Sequence, residues 1–574
     1  MSVRLRLGSS NAALDAAFDP LVARVLAHRG ISAPAQVDYQ LKHLLPYHQL
    51  KGIGEAVGLL VDALEAQQHI VIVGDFDCDG ATSTSLAMLA LGAMGAHNVS
   101  YLVPNRFDFG YGLSPALVDY AQASQPDLIV TVDNGIASHA GVDRAHELGI
   151  KVLVTDHHLA ADTLPAADAI VNPNQPGCEF PFKSTAGVGV IFYVMSALRR
   201  ELQTQGWFEQ HQIPPPNMGQ YLDLVALGTV ADLVPFEHNN RILVAQGVAR
   251  IRAGKARPGL LALLNVAKRQ AHNLQASDLG FSVGPRLNAA GRLDDMSLGI
   301  ECLLSDNEQI AQSLAQELDE LNSQRRSIEA DMQQQAVTIL ARLEASKNQV
   351  MPKCVCLYHP DWHQGVVGIV ASRIKEKWHR PALVFAKGDD DTLKGSCRSI
   401  SGFHLRDALA AVDAQNPGLI IKFGGHAMAA GLSIHVDNLA SFEAALNAYA
   451  EEHLPEALLA QEWRSDGELG AHELQLNQAF VLQQAGPWGQ GFEEPTFHGR
   501  FMLVQQRIVG EKHLKLVLAH AQTGELIDAI CFNVDTTLWP NSGDQADLVY
   551  RLDVNEFRGR QSLQLVVQHI TPVL

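Results

Sequence analysis

Three short runs of this chain set carboxylates and imidazoles side by side: "GDFDCDG" (Gly74 to Gly80), "VDNG" (Val132 to Gly135) and "TDHH" (Thr155 to His158). Each closes a stretch that reads as a buried strand, in "HIVIVGDFD", "DLIVTVDNG" and "KVLVTDHH". A fourth acid, Asp232, ends the apolar segment "LGTVADLVP" in the same way. Carboxylates packed together repel one another and take up protons unless divalent cations neutralise them. Carboxylate oxygens with an imidazole nitrogen suit Mn²⁺, with Mg²⁺ a substitute where oxygen dominates. A carboxylate bridging two such cations is the arrangement for two-metal hydrolysis, one cation activating water and the pair stabilising charge on phosphoryl oxygens. A lone aspartate after a strand is as well explained by capping the next helix, and Asp75 and Asp79 are each open to that reading. Three strand ends that all close in acid, one with a His-His pair, are not. Adjacent histidines point different ways, so one of the two is expected to be a ligand.

The elements that must position these groups can be read from the surrounding pattern. From about Leu64 to Val234, β-branched runs alternate with helical segments such as "ATSTSLAMLALGAMGA", which predicts a parallel sheet covered on both faces. The carboxyl ends of such strands line one edge, where ligands bind. The acids therefore converge if the three strands are neighbours. From Ser305 to Ser346 the chain has neither Gly nor Pro and should form one long helix, with Ser305 and Asp306 as caps. That helix is either a strut between domains or an ordinary surface helix. Beyond it "KCVCLYHPDWHQGVVGIVASRIKEKWHRPALVFAK" restarts a strand–helix–strand pattern that runs to about His453. From Glu462 onward short strands dominate, suggesting a small antiparallel barrel or sandwich. The expected division is an N-terminal helical extension over 1–50, catalytic domain 51–304, long helix 305–346, a second α/β domain 347–455 and a β domain 460–574.

Bulk properties narrow the class. A chain of 574 residues is too long for a single core. Its 62 acidic against 43 basic residues argue against a generally basic nucleic-acid coat, though not against a local basic groove. Seven scattered cysteines without a CxxC pair fit a reducing compartment and argue against a disulfide framework or zinc ribbon. The N-terminus lacks an apolar signal core and no run is long enough to span a membrane, so a cytoplasmic location is expected.

The four acidic runs together resemble the motifs of the DHH phosphoesterases, and their order and spacing resemble the RecJ branch of that family, bacterial exonucleases specific for single-stranded DNA. "GVVGIVASRIKE", "GSCRS" and "KFGGHAMAAG" resemble its DHH-associated second domain, and "GPWGQGFEEPTF" the opening of its OB-fold-like barrel. The resemblance implies an α/β protein: a parallel-sheet DHH domain, a second α/β domain joined by a long helix, and a C-terminal OB-fold-like β-barrel. It implies a phosphodiesterase using two divalent cations, Mn²⁺ or Mg²⁺, that degrades single-stranded DNA from the 5′ end to mononucleotides in DNA repair and recombination. Carried over motif by motif, it makes Asp77, Asp79, Asp133, His157 and Asp232 the metal ligands. Asp75 and Asp156 become catalytic support or further ligands, and His158 the contact to the scissile phosphate. Relatives acting on pyrophosphate or short oligonucleotides share these carboxylates, so the substrate is decided elsewhere.

Candidate substrate residues lie in four further stretches. "PNRFDFGYGLSP" offers Arg106 and Tyr111 in a Gly-rich loop, a cation and a ring that could take a phosphate and stack a base; its phenylalanines equally serve to pack the loop. "VGPRLNAAGRLDD" reads as a loop in which Arg286 and Asn288 clamp phosphate, while Arg292 could instead pair with Asp294 or Asp295. Ser396 and Arg398 anchor the 5′ phosphate by resemblance. Gly424, Gly425 and His426 offer backbone N–H groups, and a helix from Ala427 would add its positive end. The last domain is expected to grip the single strand, with cutting in a cleft between the first two; Trp488, Phe492 and Phe497 read more simply as its core. The rival readings are a phosphodiesterase for short oligonucleotides or cyclic dinucleotides, and a non-catalytic replication scaffold. The expected partner is single-stranded DNA with a 5′ end, and the expected state a monomer away from membranes. A helicase or single-strand-binding protein would suit such an enzyme, though no residue points to either.

Overall fold

The chain opens with a short strand, β1 (Ser2–Leu5), and two capped helices, Ala12–Ala17 and Pro20–Ala27. The computed structural model describes residues 2–105, 109, 111–345, 351–534, 536 and 538–573. Arg106 lies outside them. A five-stranded sheet follows, built from β2 (Ile70–Gly74), β3 (Val99–Leu102), β4 (Leu128–Val132), β5 (Lys151–Thr155) and β6 (Ala169–Val171). Its order is β3-β2-β4-β5-β6 and every pairing is parallel. Every residue of β2 and β4 is buried, which is why these strands are continuous apolar runs rather than alternating ones. Val71, Val73, Ile129, Val152 and Val154 share a core with Leu117, Val118, Val142 and Ala145 of the helices Pro115–Ala121 and His139–Glu147. The helices Ile53–Glu65, Cys78–Ala93 and Gly187–Thr204 also pack on the sheet. The three acid-tipped strands β2, β4 and β5 are consecutive neighbours, as convergence requires.

The chain divides into two compact units, Met1–Asp319 with Trp463–Leu574, and Glu320–Glu462. The boundary falls inside one helix, Glu308–Ala345. Its cap is neither Ser305 nor Asp306. Asn307 Oδ1 accepts the N–H groups of Gln309 and Ile310 at 2.9 and 3.1 Å, while Ser305 Oγ accepts that of Asn307. A cap must stand one residue before the first turn to reach those donors, and Asn307 does.

The second unit holds a mixed sheet of β7 (Val355–Tyr358), β8 (Ala382–Lys387), β9 (Thr392–Arg398), β10 (Lys422–Gly425) and β11 (Ala429–His435), in the order β10-β11-β9-β8-β7. Within this sheet only β7 and β8 run parallel. Cys354, Phe385, Leu409 and Phe442 are among its fully buried core residues. The helix expected from Ala427 does not form. Residues 426–428 instead turn β10 into β11, with His426 N–H bonded to the Ala429 carbonyl, because the small residues after them complete an antiparallel ladder.

Back in the first unit, β12 (Glu462–Ser465) pairs with β1, and β13 (Phe497–Val509), β14 (His513–His520), β15 (Leu526–Cys531), β16 (Gln545–Phe557) and β17 (Arg560–Val573) close a barrel in the order β13-β14-β15-β17-β16. It is not wholly antiparallel: β15 and β17 run parallel. Phe492 and Phe497 are fully buried, and Trp488 stacks on Phe492 with ring centroids 5.0 Å apart, so all three serve packing. No helix among the described residues is long and apolar enough to cross a membrane.

Candidate metal centre

Each strand end delivers its acid through a short hydrogen-bonded turn. After β2, Asp77 caps the helix Cys78–Ala93, its Oδ1 accepting the N–H groups of Asp79 and Gly80 at 2.9 and 3.1 Å. Asp79 is buried and caps a different helix: its two oxygens accept Gly187 N–H at 2.7 Å and Val188 N–H at 2.9 Å. After β4, Asp133 adopts a left-handed backbone with φ 62°, uncommon for any residue but glycine. A side chain on Gly187 would lie 2.7 Å from the Asp133 Cβ, so glycine there lets the helix Gly187–Thr204 close over this carboxylate. Asn134 locks the turn, its amide donating to the carbonyls of Val73 and Val132 on adjacent strands.

After β5, Asp156 is saturated with donors. Oδ2 accepts Ile136 N–H at 2.9 Å, and Oδ1 accepts His157 N–H, His158 N–H and His158 Nδ1 at 2.7, 3.1 and 2.8 Å. Asn172 and Asn174, beyond β6, donate to the carbonyls of His158 and His157. Asp232 arrives differently from the expectation of a strand end: it caps the C-terminus of the helix Leu222–Ala231. The segment "YLDLVALGTVAD" is mostly apolar and buried all round, with Asp223 paired to Arg257, and such a run alone does not distinguish a buried helix from a strand.

These groups converge. Potential ligand atoms lie within 4.8 Å of one another in three overlapping sets: Asp133, His157 and His158; Asp79, His157 and Asp232; and Asp75, Asp77 and Asp133. His157 Nε2 stands 3.0 Å from Asp133 Oδ1 and 3.6 Å from Asp232 Oδ2. Among the described residues, neither His157 Nε2 nor Asp133 Oδ1 has a hydrogen-bond partner, although both are buried. Asp156 belongs to none of the sets found among those residues, consistent with its oxygens being occupied by N–H donors.

The electrostatics favour cations. Burial, then the charge of Asp77, push the Asp79 carboxyl up to about 7, against the two amide bonds it accepts. Asp133 and Asp232 lie well above the usual carboxylate range, through burial and then their acidic neighbours. Burial and the adjacent His158 lower His157 to about 4, which keeps its imidazole neutral and able to donate a lone pair. Burial alone would lower His158 too, but its hydrogen bond and charge interaction with Asp156 raise it to about 9. Unpartnered buried carboxylate and imidazole atoms, with carboxyls driven toward protonation by burial and then by one another, fit a divalent-cation site of mixed oxygen and nitrogen donors.

Comparison with known proteins decides the family. Residues 69–229 match the DHH family N-terminal domain, 351–452 the DHHA1 domain and 465–569 the RecJ OB domain. The chain is 54% identical over 574 residues to the single-stranded-DNA-specific exonuclease RecJ of Escherichia coli, covering 100% of this chain and 99% of that one. It belongs to the RecJ family. Among solved structures, RecJ of Thermus thermophilus in complex with Mn²⁺ is 30% identical, with TM-score 0.80 over 100% of this chain and 80% of that one. The same protein in complex with Mg²⁺ gives 29% identity and TM-score 0.74, over 100% and 79%.

The expected substrate residues of this RecJ-family chain fall in three environments. Tyr111, half exposed, sets its hydroxyl 3.2 Å from His158 Nδ1 and 3.4 Å from the Asp133 carbonyl, beside the acidic set. Arg286 and Asn288 sit not on a loop but on a helix, Gly284–Leu293, which Pro285 starts and leucine and alanine sustain. Arg286 pairs with Asp319 at 2.7 Å and donates to the Ser282 carbonyl. Asn288 Oδ1 accepts Cys78 N–H at 2.7 Å. In the second unit, Ser396 and Arg398 share a face of β9, with Arg398 Nη1 3.3 Å from Ser396 Oγ. Ser396 pairs with Gly431 and Gly431 with Gly424, so the row beside the serine carries no side chain on two successive strands. Gly425 and His426 close the hairpin at its end. Asn134, Asn172 and Asn174 were not among the expected residues. Asn134 lies inside "VDNG", but its partner Val73 on β2 is apparent only once the strands are paired.

Proposed function

We propose that the chain is a metal-dependent 5′→3′ exonuclease that hydrolyses phosphodiesters of single-stranded DNA to 5′-mononucleotides by a two-metal mechanism, in DNA repair and recombination. One observation carries the reading: a buried carboxylate–imidazole set whose Asp133 Oδ1 and His157 Nε2 lack partners among the described residues, in a chain of the RecJ family. Asp77, Asp79, Asp133, His157 and Asp232 would hold the cations. Divalent cations there would activate water and offset charge building on the phosphoryl oxygens. Asp156 accepts from His158 Nδ1 and would orient that imidazole toward the phosphate being cleaved. Asp75 would support the separate loop that follows β2, its Oδ1 accepting Phe76 N–H. Ser396, Arg398 and the Gly424–His426 turn would take the 5′ phosphate, and Tyr111 and Arg106 are further proposed substrate contacts. In this reading residues 51–304 cut, 347–455 hold the end and 460–574 grip the strand. A helicase and a single-strand-binding protein are the partners that would expose such a substrate.

The test uses 5′-labelled single-stranded, duplex and dinucleotide DNA with Mn²⁺, Mg²⁺ or EDTA. Single strands should be degraded with either cation and left whole in EDTA. Intact single strands alongside cleaved dinucleotides would defeat the proposal. Arg398→Ala should raise KM for 5′-phosphorylated strands about tenfold with kcat little changed, the loss of one charge-assisted contact. An equal effect on 5′-hydroxyl strands would show that Arg398 does not read the terminal phosphate.

A further inference from the structure

The helix Gly284–Leu293 touches two chain segments that bring acids to the centre. Asn288 Oδ1 accepts the N–H of Cys78, between Asp77 and Asp79, from 210 residues away in sequence. One turn further, a Cβ on Gly291 would lie 1.8 Å from the Phe76 carbonyl oxygen, so the helix backbone rests directly on the loop that carries Asp75 and Asp77. At its other end a Cβ on Gly284 would stand 3.1 Å from the Ala231 Cβ, one residue before Asp232. The helix Cys78–Ala93 begins with N–H groups that have no partner within it. Asp77 takes those of Asp79 and Gly80, and Asn288 takes that of Cys78, so the turn bearing both acids is held from both sides.

We propose that Asn288 and Gly291 are positioning residues, and that the helix Gly284–Leu293 clamps the 75–79 loop and the Ala231–Asp232 turn at the separation a divalent cation requires. The inference rests on the proposed ligand set. A group that orients metal ligands without touching the metal acts on affinity, about 10- to 100-fold when it is removed. The amide oxygen of Asn288 is what Cys78 uses, so aspartate at this position keeps the acceptor and alanine does not.

The experiment titrates Mn²⁺ alone into the full-length protein and reads free Mn²⁺ by electron paramagnetic resonance, with thermal melting in EDTA as the control for folding. Asn288→Ala and Gly291→Ala should each raise the Mn²⁺ dissociation constant about tenfold or more, and Asn288→Asp should stay within about threefold of the wild type. Should Gly291→Ala fail to fold, the Asn288 pair decides alone. Alanine at 288 binding Mn²⁺ as the wild type does would overturn the inference. So would equal losses of single-strand affinity in EDTA for Asn288→Ala and Asn288→Asp with Mn²⁺ binding intact, since that pattern belongs to a DNA contact made by the amide nitrogen. A wild-type protein that binds no Mn²⁺ would instead overturn the ligand set itself.

Discussion

Asp133→Ala is expected to lower the rate of single-strand cleavage by at least about 10³-fold, about 4 kcal/mol of transition-state stabilisation. Asp133 belongs to two of the three potential ligand sets and faces the unpartnered nitrogen of His157, so its removal opens both sets at once. The side chain supports the same view: its buried Oδ1 has no hydrogen-bond partner among the described residues, which a bound cation would explain. Binding of the strand should change little, because the residues proposed to grip it lie elsewhere. Gel-shift affinity measured in EDTA and turnover measured in Mn²⁺ separate the two quantities. Activity close to that of the wild type would remove Asp133 from the metal site and with it the two-metal reading. Asp133→Asn is the gentler companion, since it keeps the shape beneath Gly187 while removing the charge.

The second large effect concerns stability. Asp466 is fully buried and receives Arg29 through two nitrogens, at 2.5 and 2.9 Å, His28 Nδ1 at 3.0 Å and Thr496 N–H at 3.0 Å. Asp466→Ala should cost about 3–5 kcal/mol, because it strands the buried Arg29 guanidinium without its counter-charge. Thermal and urea unfolding of the full chain would check this; an unchanged midpoint would mean the cluster contributes nothing net. Burial pushes the Asp466 carboxyl up, but the Arg29 hydrogen bond and charge, with Thr496 and His28, bring it below the usual range. A carboxyl lowered by folding contributes its full stability above its unfolded pKa of about 4 and loses it as pH falls through the folded value. The gap in melting temperature between wild type and Asp466→Asn should thus hold steady from neutrality to about pH 5 and narrow below about pH 4. A gap that widened in acid would contradict the assignment.

Much of this was legible in the sequence where the signal is local. Buried parallel strands need apolar residues on both faces, so β2, β4 and β5 stood out, and the residues that follow them named the acids. The long helix was legible from the absence of Gly and Pro. What was missed depends on partners distant in the chain. "GPRLNAAG" reads as a loop because glycine and proline usually break structure; here Pro285 starts a helix and the glycines let it lie against Phe76 and Ala231. "GGHAMAAG" reads as a helix start until β10 and β11 are paired. Asp79 resembles a cap of its own helix, yet it caps one that begins 108 residues later. The DHH resemblance supplied what spacing could not, the assignment of particular acids to particular ligands.

The division of the first unit has a consequence for synthesis. Its two parts, Met1–Asp319 and Trp463–Leu574, are separated by the whole of the second unit. On the ribosome, β1 and Arg29 emerge early, while their partners β12 and Asp466 appear only after the intervening segment has been translated. Until then Arg29 has no counter-charge, β1 is an unpaired edge and the barrel does not exist. At typical elongation rates of about 5–20 residues per second, that interval lasts tens of seconds. Glu320–Glu462, contiguous in the chain, can complete its sheet first. The nascent chain therefore has an extended period in which its N-terminal part depends on chaperones or on its own sheet to stay soluble, and a truncation before Trp463 leaves that period without an end.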